Sequence, residues 1–354
     1  MNHITPHYPV ITLGVVLTMR ICVPRETYPL EKRVMVLPSA AKSLVDAGHD
    51  VFVQLGAASE LDIADNEYVA AGAKIIADDQ ELYGLAEMIV KLKAPSPQEF
   101  SLMHDAILFS MFHSEQNPVH IYYAGLQNLV VVEMERIRDG KQKRLIDQTD
   151  VTGEVGVYYA LRHSQKMPED MKAVILGYGN VASGAIKACA KLGIQYKIIR
   201  RSEFKFISEY LKDADILING LAWPESARAK KEYVVTRENI QNTTPGFIVL
   251  DLSVDFPNPI ETVHPTTYAN PFYLEEGRVH ISIYGYPGLV PKTSGRIYSE
   301  QVLPLALTIA NNGGLRGIRE KGELGRAISR AILDPQKCDW KQYKPEAPTG
   351  SRIE

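Results

Sequence analysis

The sequence predicts an α/β fold built from two doubly wound, parallel-sheet domains, and three observations predict it. From Met19 to about Ile146, short apolar runs alternate with helical patterns. The run Ala173-Val-Ile-Leu176 then enters the glycine-rich turn Gly177-Tyr-Gly179-Asn-Val-Ala182. A further series of apolar runs follows as far as Leu252. Such alternation produces right-handed β-α-β units and a largely parallel sheet. At 354 residues the chain is long enough for two domains, each with its own core.

The elements follow in order. Residues 1–18 contain the apolar run Pro9–Leu17, with no Lys or Arg before it and no Ala-x-Ala site, so they are expected to be a leader or an over-extended start rather than a signal peptide. Met19-Arg20-Ile-Cys-Val-Pro begins the first domain. Its strands are expected at Arg20–Val23, Asp50–Gln54, Met88–Leu92, Ala106–Met111 and Leu129–Glu133. A helix over Ser39–Ala47 has Ser39 as N-cap and Gly48 as stop. Asp150–Gln165 reads as one long helix leading into the second domain, whose later strands are expected near Lys197–Ile199, Asp215–Ile218 and Phe247–Leu252. From Gly285 to about Asn312 the chain is expected to return to the first domain. The resulting division is 19–146 with 285–315, then 147–284, and a charged peripheral tail, partly flexible, over 316–354 with Pro335, Pro345 and Pro348.

Composition excludes several classes of function. With 45% hydrophobic and 23% charged residues and a net charge of −3, nothing argues for nucleic acid or an acidic membrane surface as partner. Cys22, Cys189 and Cys338 are widely spaced and odd in number, which fits neither a zinc site nor a disulfide framework and makes a reducing cytoplasm the expected setting. No run approaches the roughly 20 apolar residues of a membrane span.

The glycine turn carries the first chemical inference. Strand before, helix after and two glycines between them let a pyrophosphate approach the backbone and rest on the helix N-terminus, where free N–H groups and the dipole favour an anion. This is the signature of a Rossmann dinucleotide site. Gly177, Gly179, Asn180, Val181 and Ala182 are its candidate residues, with Asn219 and Gly220 just past a later strand end. After the second strand an NAD-binding chain usually carries an acid for the ribose 2′-hydroxyl. Here Ile198-Ile199 is followed by Arg200-Arg201, two cations suited to a 2′-phosphate, so the expected cofactor is NADP(H). One of the pair alternatively stacks on adenine or faces solvent.

Four further segments belong together: Val23-Pro24-Arg25-Glu26 with Glu31-Lys32-Arg33-Val34, then Asp46 to Val51, then Val90-Lys91-Leu92-Lys93-Ala94-Pro95, then Leu108 to His113. Their order and spacing resembles the alanine dehydrogenase and pyridine-nucleotide transhydrogenase family, which also includes saccharopine dehydrogenases and N5-(carboxyethyl)ornithine synthase. The resemblance runs from Met19 to about Asn312. Within it, Leu176-Gly-Tyr-Gly-Asn-Val-Ala-Ser-Gly-Ala, Leu250-Asp-Leu-Ser-Val-Asp255 and Gly285-Tyr-Pro-Gly-Leu-Val-Pro291 are most similar to the carboxyethylornithine synthase branch. The resemblance implies two Rossmann-like domains with an active-site cleft between them, and a homo-oligomer. It implies that Arg33 holds the carboxylate of a 2-oxo acid, that Lys93 contacts its carboxylate and carbonyl oxygen, that His113 is the acid–base group, and that Asp255 lies near nicotinamide and substrate. Two departures stand out. Alanine dehydrogenases keep an acid where Arg200-Arg201 stand, and a Met-Ser-Glu-Val-Ala-Gly type segment is replaced by Thr149-Asp150-Val151-Thr152-Gly153-Glu154, which alters a wall of the substrate pocket.

Residue by residue, plainer readings stand beside these. Arg33 is able to grip a carboxylate with two parallel hydrogen bonds, or to be a solvated arginine after the first strand. Lys93 ends an apolar strand, and Lys91 shares its face by the period of two, so the strand pattern alone does not choose between them. His113 also ends a strand, where a neutral imidazole can move a proton near neutral pH or simply pack. Asp255 is either a substrate contact or a turn-former before Phe256-Pro257, and Asp251 is a weaker candidate for the same work. The expected function is NADPH-dependent reductive condensation of a 2-oxo acid, pyruvate, with an amino group of a basic amino acid, ornithine or lysine. The alternatives are an alanine dehydrogenase, a saccharopine or lysine dehydrogenase, and a non-catalytic NADP(H)-binding module.

Overall fold

The apolar runs become two sheets in a computed structural model that describes residues 17–345. The chain folds as two compact units, one holding residues up to Arg25, Val34–Leu145 and Ser299 onward, the other Glu26–Arg33 and Ile146–Tyr298. The sheet of the first unit contains β1 (Arg20–Val23), β2 (Asp50–Gln54), β3 (Lys74–Ile76), β4 (Met88–Lys93), β5 (Ile107–Met111) and β6 (Val130–Glu133). Its order is β6-β5-β4-β1-β2-β3, all parallel, with a two-residue strand, Ile332–Leu333, added antiparallel outside β6. The central strands read as continuous apolar runs because both faces are covered: Ile21, Cys22, Met88, Ile89, Leu108 and Phe109 are fully buried. Strand order reverses between β1 and β4, and in such sheets the carboxyl ends beside the reversal form the ligand crevice.

The second unit is built on the glycine turn. Its strands are β7 (Lys172–Leu176), β8 (Gln195–Ile199), β9 (Ile216–Asn219), β10 (Ile248–Asp251), β11 (Tyr273–Glu275) and β12 (Arg278–Ile281), in the order β8-β7-β9-β10-β12-β11. All pairs are parallel except the β11–β12 hairpin, whose turn residues Glu276 and Gly277 have φ of 52° and 66°, as a two-residue primed turn requires. Here the reversal lies between β7 and β9, which places the glycine turn and Asn219-Gly220 on its two sides. The helix Asn180–Leu192 buries Ala182, Gly184, Ala185, Ala188 and Cys189 against this sheet and the helix Thr149–Ala160. The two helices cross backbone to backbone: a Cβ on Gly184 would lie 2.0 Å from Asp150 O, and one on Gly153 2.1 Å from Val181 O. No side chain fits at either position.

Several boundaries differ from the sequence reading. The helix expected over Asp150–Gln165 is Thr149–Ala160 followed by a tighter turn at Leu161–His163. Ser39 is inside its helix rather than capping it, because Pro38 already occupies the first turn, where a missing N–H is harmless. The return to the first unit comes at Ser299, inside the helix Pro291–Asn311, and not at Gly285. Residues 316–345 are no peripheral tail. Ile332–Leu333 extends the first sheet, and Trp340 packs so closely that a Cβ on Gly125 would meet its ring at 2.4 Å. A two-residue strand and a lone tryptophan leave too little periodicity to be read from sequence. The expected leader lies outside the described residues except for Leu17 and Thr18, and Pro348 lies outside them as well. Among the described residues no helix is long and apolar enough to cross a membrane.

Candidate active site

In the first unit the carboxyl ends of β4 and β5 bring Lys93 and His113 together. Lys93 is register-paired with Met111, two residues before His113, and its charge acts on the imidazole. The chain turns sharply at His113, with φ of +51°, a region in which histidine, asparagine and aspartate are the tolerated side chains. Glu135 fixes this turn by accepting the Phe112 N–H at 3.1 Å and the His113 N–H at 2.6 Å, and its Oε1 lies 3.8 Å from His113 Nδ1. Glu133 accepts the Ser114 hydroxyl at 2.5 Å. Burial, then the charges of Lys93 and Arg144, push the His113 imidazole down to about 4, so it is neutral at physiological pH. Burial raises both glutamates. His113, Glu133 and Glu135 line a cleft of about 440 Å³ together with Arg136, Arg138, Arg144 and Arg330.

A β-bulge separates the environments of the two lysines. Val90 pairs with Phe109 and Lys93 with Met111, so three steps along β4 match two along β5 and the alternation of faces is broken. Lys91 is buried, and its ammonium sits 2.7 Å from Glu99, which also accepts the Tyr83 hydroxyl at 2.9 Å. It is a structural ion pair. Lys93 is half-buried at the strand tip.

The second unit holds the other expected residues. Arg33 is buried rather than solvated. Its Nε and Nη2 donate to Glu31 at 2.6 and 2.5 Å, and its Nη1 donates to Ser294 Oγ at 3.1 Å, whose own hydroxyl donates to Gln148. Three of five guanidinium hydrogens are thus committed, leaving one on each terminal nitrogen for a ligand. Asp255 accepts the Trp223 N–H at 3.0 Å and lies 3.6 Å from Arg228, with its side chain about one quarter exposed at 27%. Asp251, the weaker candidate, is excluded: it is wholly buried and takes bonds from Asn219 at 2.8 Å and Ser282 at 2.7 Å. Burial pushes its carboxyl upward. Asn219 is buried as well, its amide donating to Asp251 and its carbonyl accepting the Leu221 N–H at 3.2 Å.

The glycine turn fits a dinucleotide. Gly177 has φ of +88°, and no side chain caps the helix that begins at Asn180. The space above Gly179 is open, with no atom within 4 Å of where a Cβ would stand. Ala182 and Gly220 close the other side, where a Cβ on Gly220 would meet that of Ala182 at 2.9 Å. Beyond β8, Arg200 and Arg201 are exposed, and Arg200 lies over the Tyr178 ring at 5.9 Å. The acid nearest in sequence, Glu203, turns back to accept the Arg200 N–H at 3.1 Å.

Comparison with known proteins matches both halves of this arrangement. Residues 22–150 match the model described as "Alanine dehydrogenase/PNT, N-terminal domain", and residues 196–330 the corresponding C-terminal domain. An alanine dehydrogenase of Methanococcus maripaludis is 30% identical over 349 residues, covering 88% of this chain and 92% of the relative. The chain belongs to the alanine dehydrogenase/PNT family. An alanine dehydrogenase of Bacillus subtilis is 28% identical over 350 residues. Among solved structures, an L-alanine dehydrogenase superposes with a TM-score of 0.81 at 25% identity, covering 92% of this chain and 99% of the other. A transhydrogenase from Sinorhizobium meliloti shares the fold, with a TM-score of 0.73 at 21% identity. The relatives bear the name of the alternative reading, alanine dehydrogenase, and not that of carboxyethylornithine synthase.

For this family member, sequence reasoning missed Glu31, Glu133, Glu135 and the arginines of the cleft. Glu133 had a signal, a carboxylate closing the apolar run Val130-Val-Val. Arg138 and Arg144 had only the turn dipeptide Asp139-Gly140 between them, and they meet through a bridge between paired segments after β6.

Proposed function

We propose that the chain is a nicotinamide-dependent amino-acid dehydrogenase that interconverts a small 2-oxo acid and its amino acid, with NADP(H) as cofactor. The observation that carries this reading is a neutral His113 beside Lys93 at adjacent strand ends, in a chain similar to alanine dehydrogenases over almost its whole length. A module that only bound cofactor would have no use for that pair. Gly177, Gly179, Asn180, Val181, Ala182 and the Gly220 backbone would hold the pyrophosphate, with Arg200 and Arg201 on the 2′-phosphate; the bound nicotinamide would accept or return a hydride.

The protein groups supply the remainder. Lys93 holds the carbonyl oxygen, stabilising the negative charge that develops there, and Arg33 gives its two uncommitted hydrogens to the carboxylate. In deamination, neutral His113 takes a proton from the water that attacks the imine carbon and passes it to the departing ammonia. In reductive amination the same proton moves in reverse. A bound carboxylate offsets the Lys93 charge and so raises His113 toward the range where it carries a proton. Asp255 accepts a hydrogen bond from the substrate amine.

A second reading, in which an amino acid replaces ammonia, is favoured by the segment Thr149–Glu154, which the family resemblance places at an altered wall of the substrate pocket. Purified protein assayed with pyruvate, NADPH or NADH, and ammonia, ornithine or lysine separates the two. The proposal expects ammonia to be used and NADPH preferred. Exchange of Arg200 or Arg201 for Gln should lower kcat/KM for NADPH roughly 10- to 100-fold, the worth of one charge-assisted bond, and leave NADH nearly untouched. Equal loss with both cofactors would defeat the NADP(H) assignment.

A further inference from the structure

The cleft at His113 carries more positive charge than the proposed reaction uses. Reductive amination of a monocarboxylic 2-oxo acid brings one carboxylate, for which one or two cations suffice. Four guanidinium groups, of Arg136, Arg138, Arg144 and Arg330, line the cleft of about 440 Å³ that holds His113. Arg136 is matched, at 3.3 Å from Glu133 and 3.4 Å from Glu115. Among the described residues Arg138, Arg144 and Arg330 form no ion pair. Arg138 donates to Gln142 O and Arg330 to Arg138 O, both at 2.9 Å, bonds that fix their positions without neutralising them. A β-bridge between Arg138 and Arg144 sets these two on paired segments. Of the buried acids nearby, Glu135 accepts the amides of Phe112 and His113 and feels the Arg144 charge, while Glu133 accepts from Ser114 and pairs with Arg136.

Three guanidinium groups without a close ion pair among the described residues, around a concave site beside an acid–base histidine, make an anion site, and their planar forks suit a carboxylate. We propose that this cleft binds a second carboxylate on the substrate, distinct from the one next to the reacting carbon. Its source is either the distal carboxylate of a dicarboxylic 2-oxo acid or the α-carboxylate of an amino acid that takes the place of ammonia. The proposal rests on the dehydrogenase reading above and sharpens its substrate class. Arg144 is the most telling of the three: it is exposed, its side chain makes no hydrogen bond within the described residues, and it already acts on His113 through its charge.

The test uses the full chain with NADPH in two arms. One compares oxaloacetate and 2-oxoglutarate with pyruvate, each with ammonia. The other compares ornithine and lysine with putrescine and cadaverine, the same amines without the carboxylate, each with pyruvate. A preference of tenfold or more for the carboxylate-bearing partner in one arm supports the proposal and names the source. Arg144→Gln and Arg138→Gln should then raise KM for that partner roughly 10- to 100-fold, and at least tenfold more than for pyruvate with ammonia. No preference in either arm, or KM changes alike for all substrates, would overturn it. A binding readout separates this from failure of the parent reading. Succinate, and not acetate, should raise the thermal midpoint of the wild type, and Arg144→Gln should abolish the rise. Turnover with pyruvate and ammonia without any succinate effect rejects the second-carboxylate site alone.

Discussion

Replacement of His113 by Asn is expected to lower kcat roughly 100- to 10,000-fold, the usual worth of a positioned acid–base group, while the protein stays folded. Asn is chosen because the backbone at this position has φ of +51°, which asparagine adopts more readily than alanine, so strain is not confused with chemistry. The main-chain bond from residue 113 to Glu135 survives the substitution. Two pH measurements accompany it. With His113 pushed down to about 4, the acid limb of kcat/KM for deamination should lie well below the usual histidine range, and the variant should lack that limb. Stability carries the same signature. Between roughly pH 6.5 and 4 the unfolded chain binds a proton that native His113 refuses, so wild-type stability falls as pH falls through that window, and the Asn variant falls less steeply. His280, likewise held at about 4 by burial, contributes a slope of the same sign to both proteins. A variant with full kcat, or an acid limb at ordinary histidine pH in the wild type, would remove His113 from its role.

How much of this was legible in the sequence depends on how local each cause is. The glycine turn is local: strand, φ-positive glycine, open glycine and uncapped helix occupy Lys172–Leu192 without interruption, and the sequence pattern carries all four. The alternation that predicts two parallel sheets is local in the same sense. Arg33 was legible as a residue but not in its state, because Glu31 is two positions away while Ser294 is brought in from far along the chain. Asp251 looked available at a strand end because strand patterns reveal what a residue follows and not what covers it; Asn219 and Ser282 cover it. The arginine-lined cleft was invisible. Arg330 comes from the segment read as a tail, and Arg138 and Arg144 meet through a bridge with no turn signature of its own beyond Asp139-Gly140.

The two lysines of β4 give the sharpest separation of structure from chemistry. Lys91→Met is expected to destabilise the protein by about 3–5 kcal/mol, since it removes the cation paired with the Glu99 carboxylate in a buried site. Pairing it with Glu99→Gln should recover much of that loss, because a buried ion pair contributes little beyond the cost of breaking it. Urea midpoints of the two single variants and the double variant measure this directly. Molecules of Lys91→Met that remain folded should keep wild-type KM for the 2-oxo acid. Lys93→Met should do the opposite, lowering kcat/KM roughly 10- to 100-fold for one lost charge-assisted bond at much smaller cost to the urea midpoint. Period-two alternation would have given both lysines one face and one fate. The bulge between Val90 and Lys93 is what divides them, turning one ammonium into the core against Glu99 and presenting the other at the strand tip beside His113. If Lys91→Met instead impaired substrate use while Lys93→Met impaired only folding, the register of β4 against β5 would be wrong and the candidate site with it.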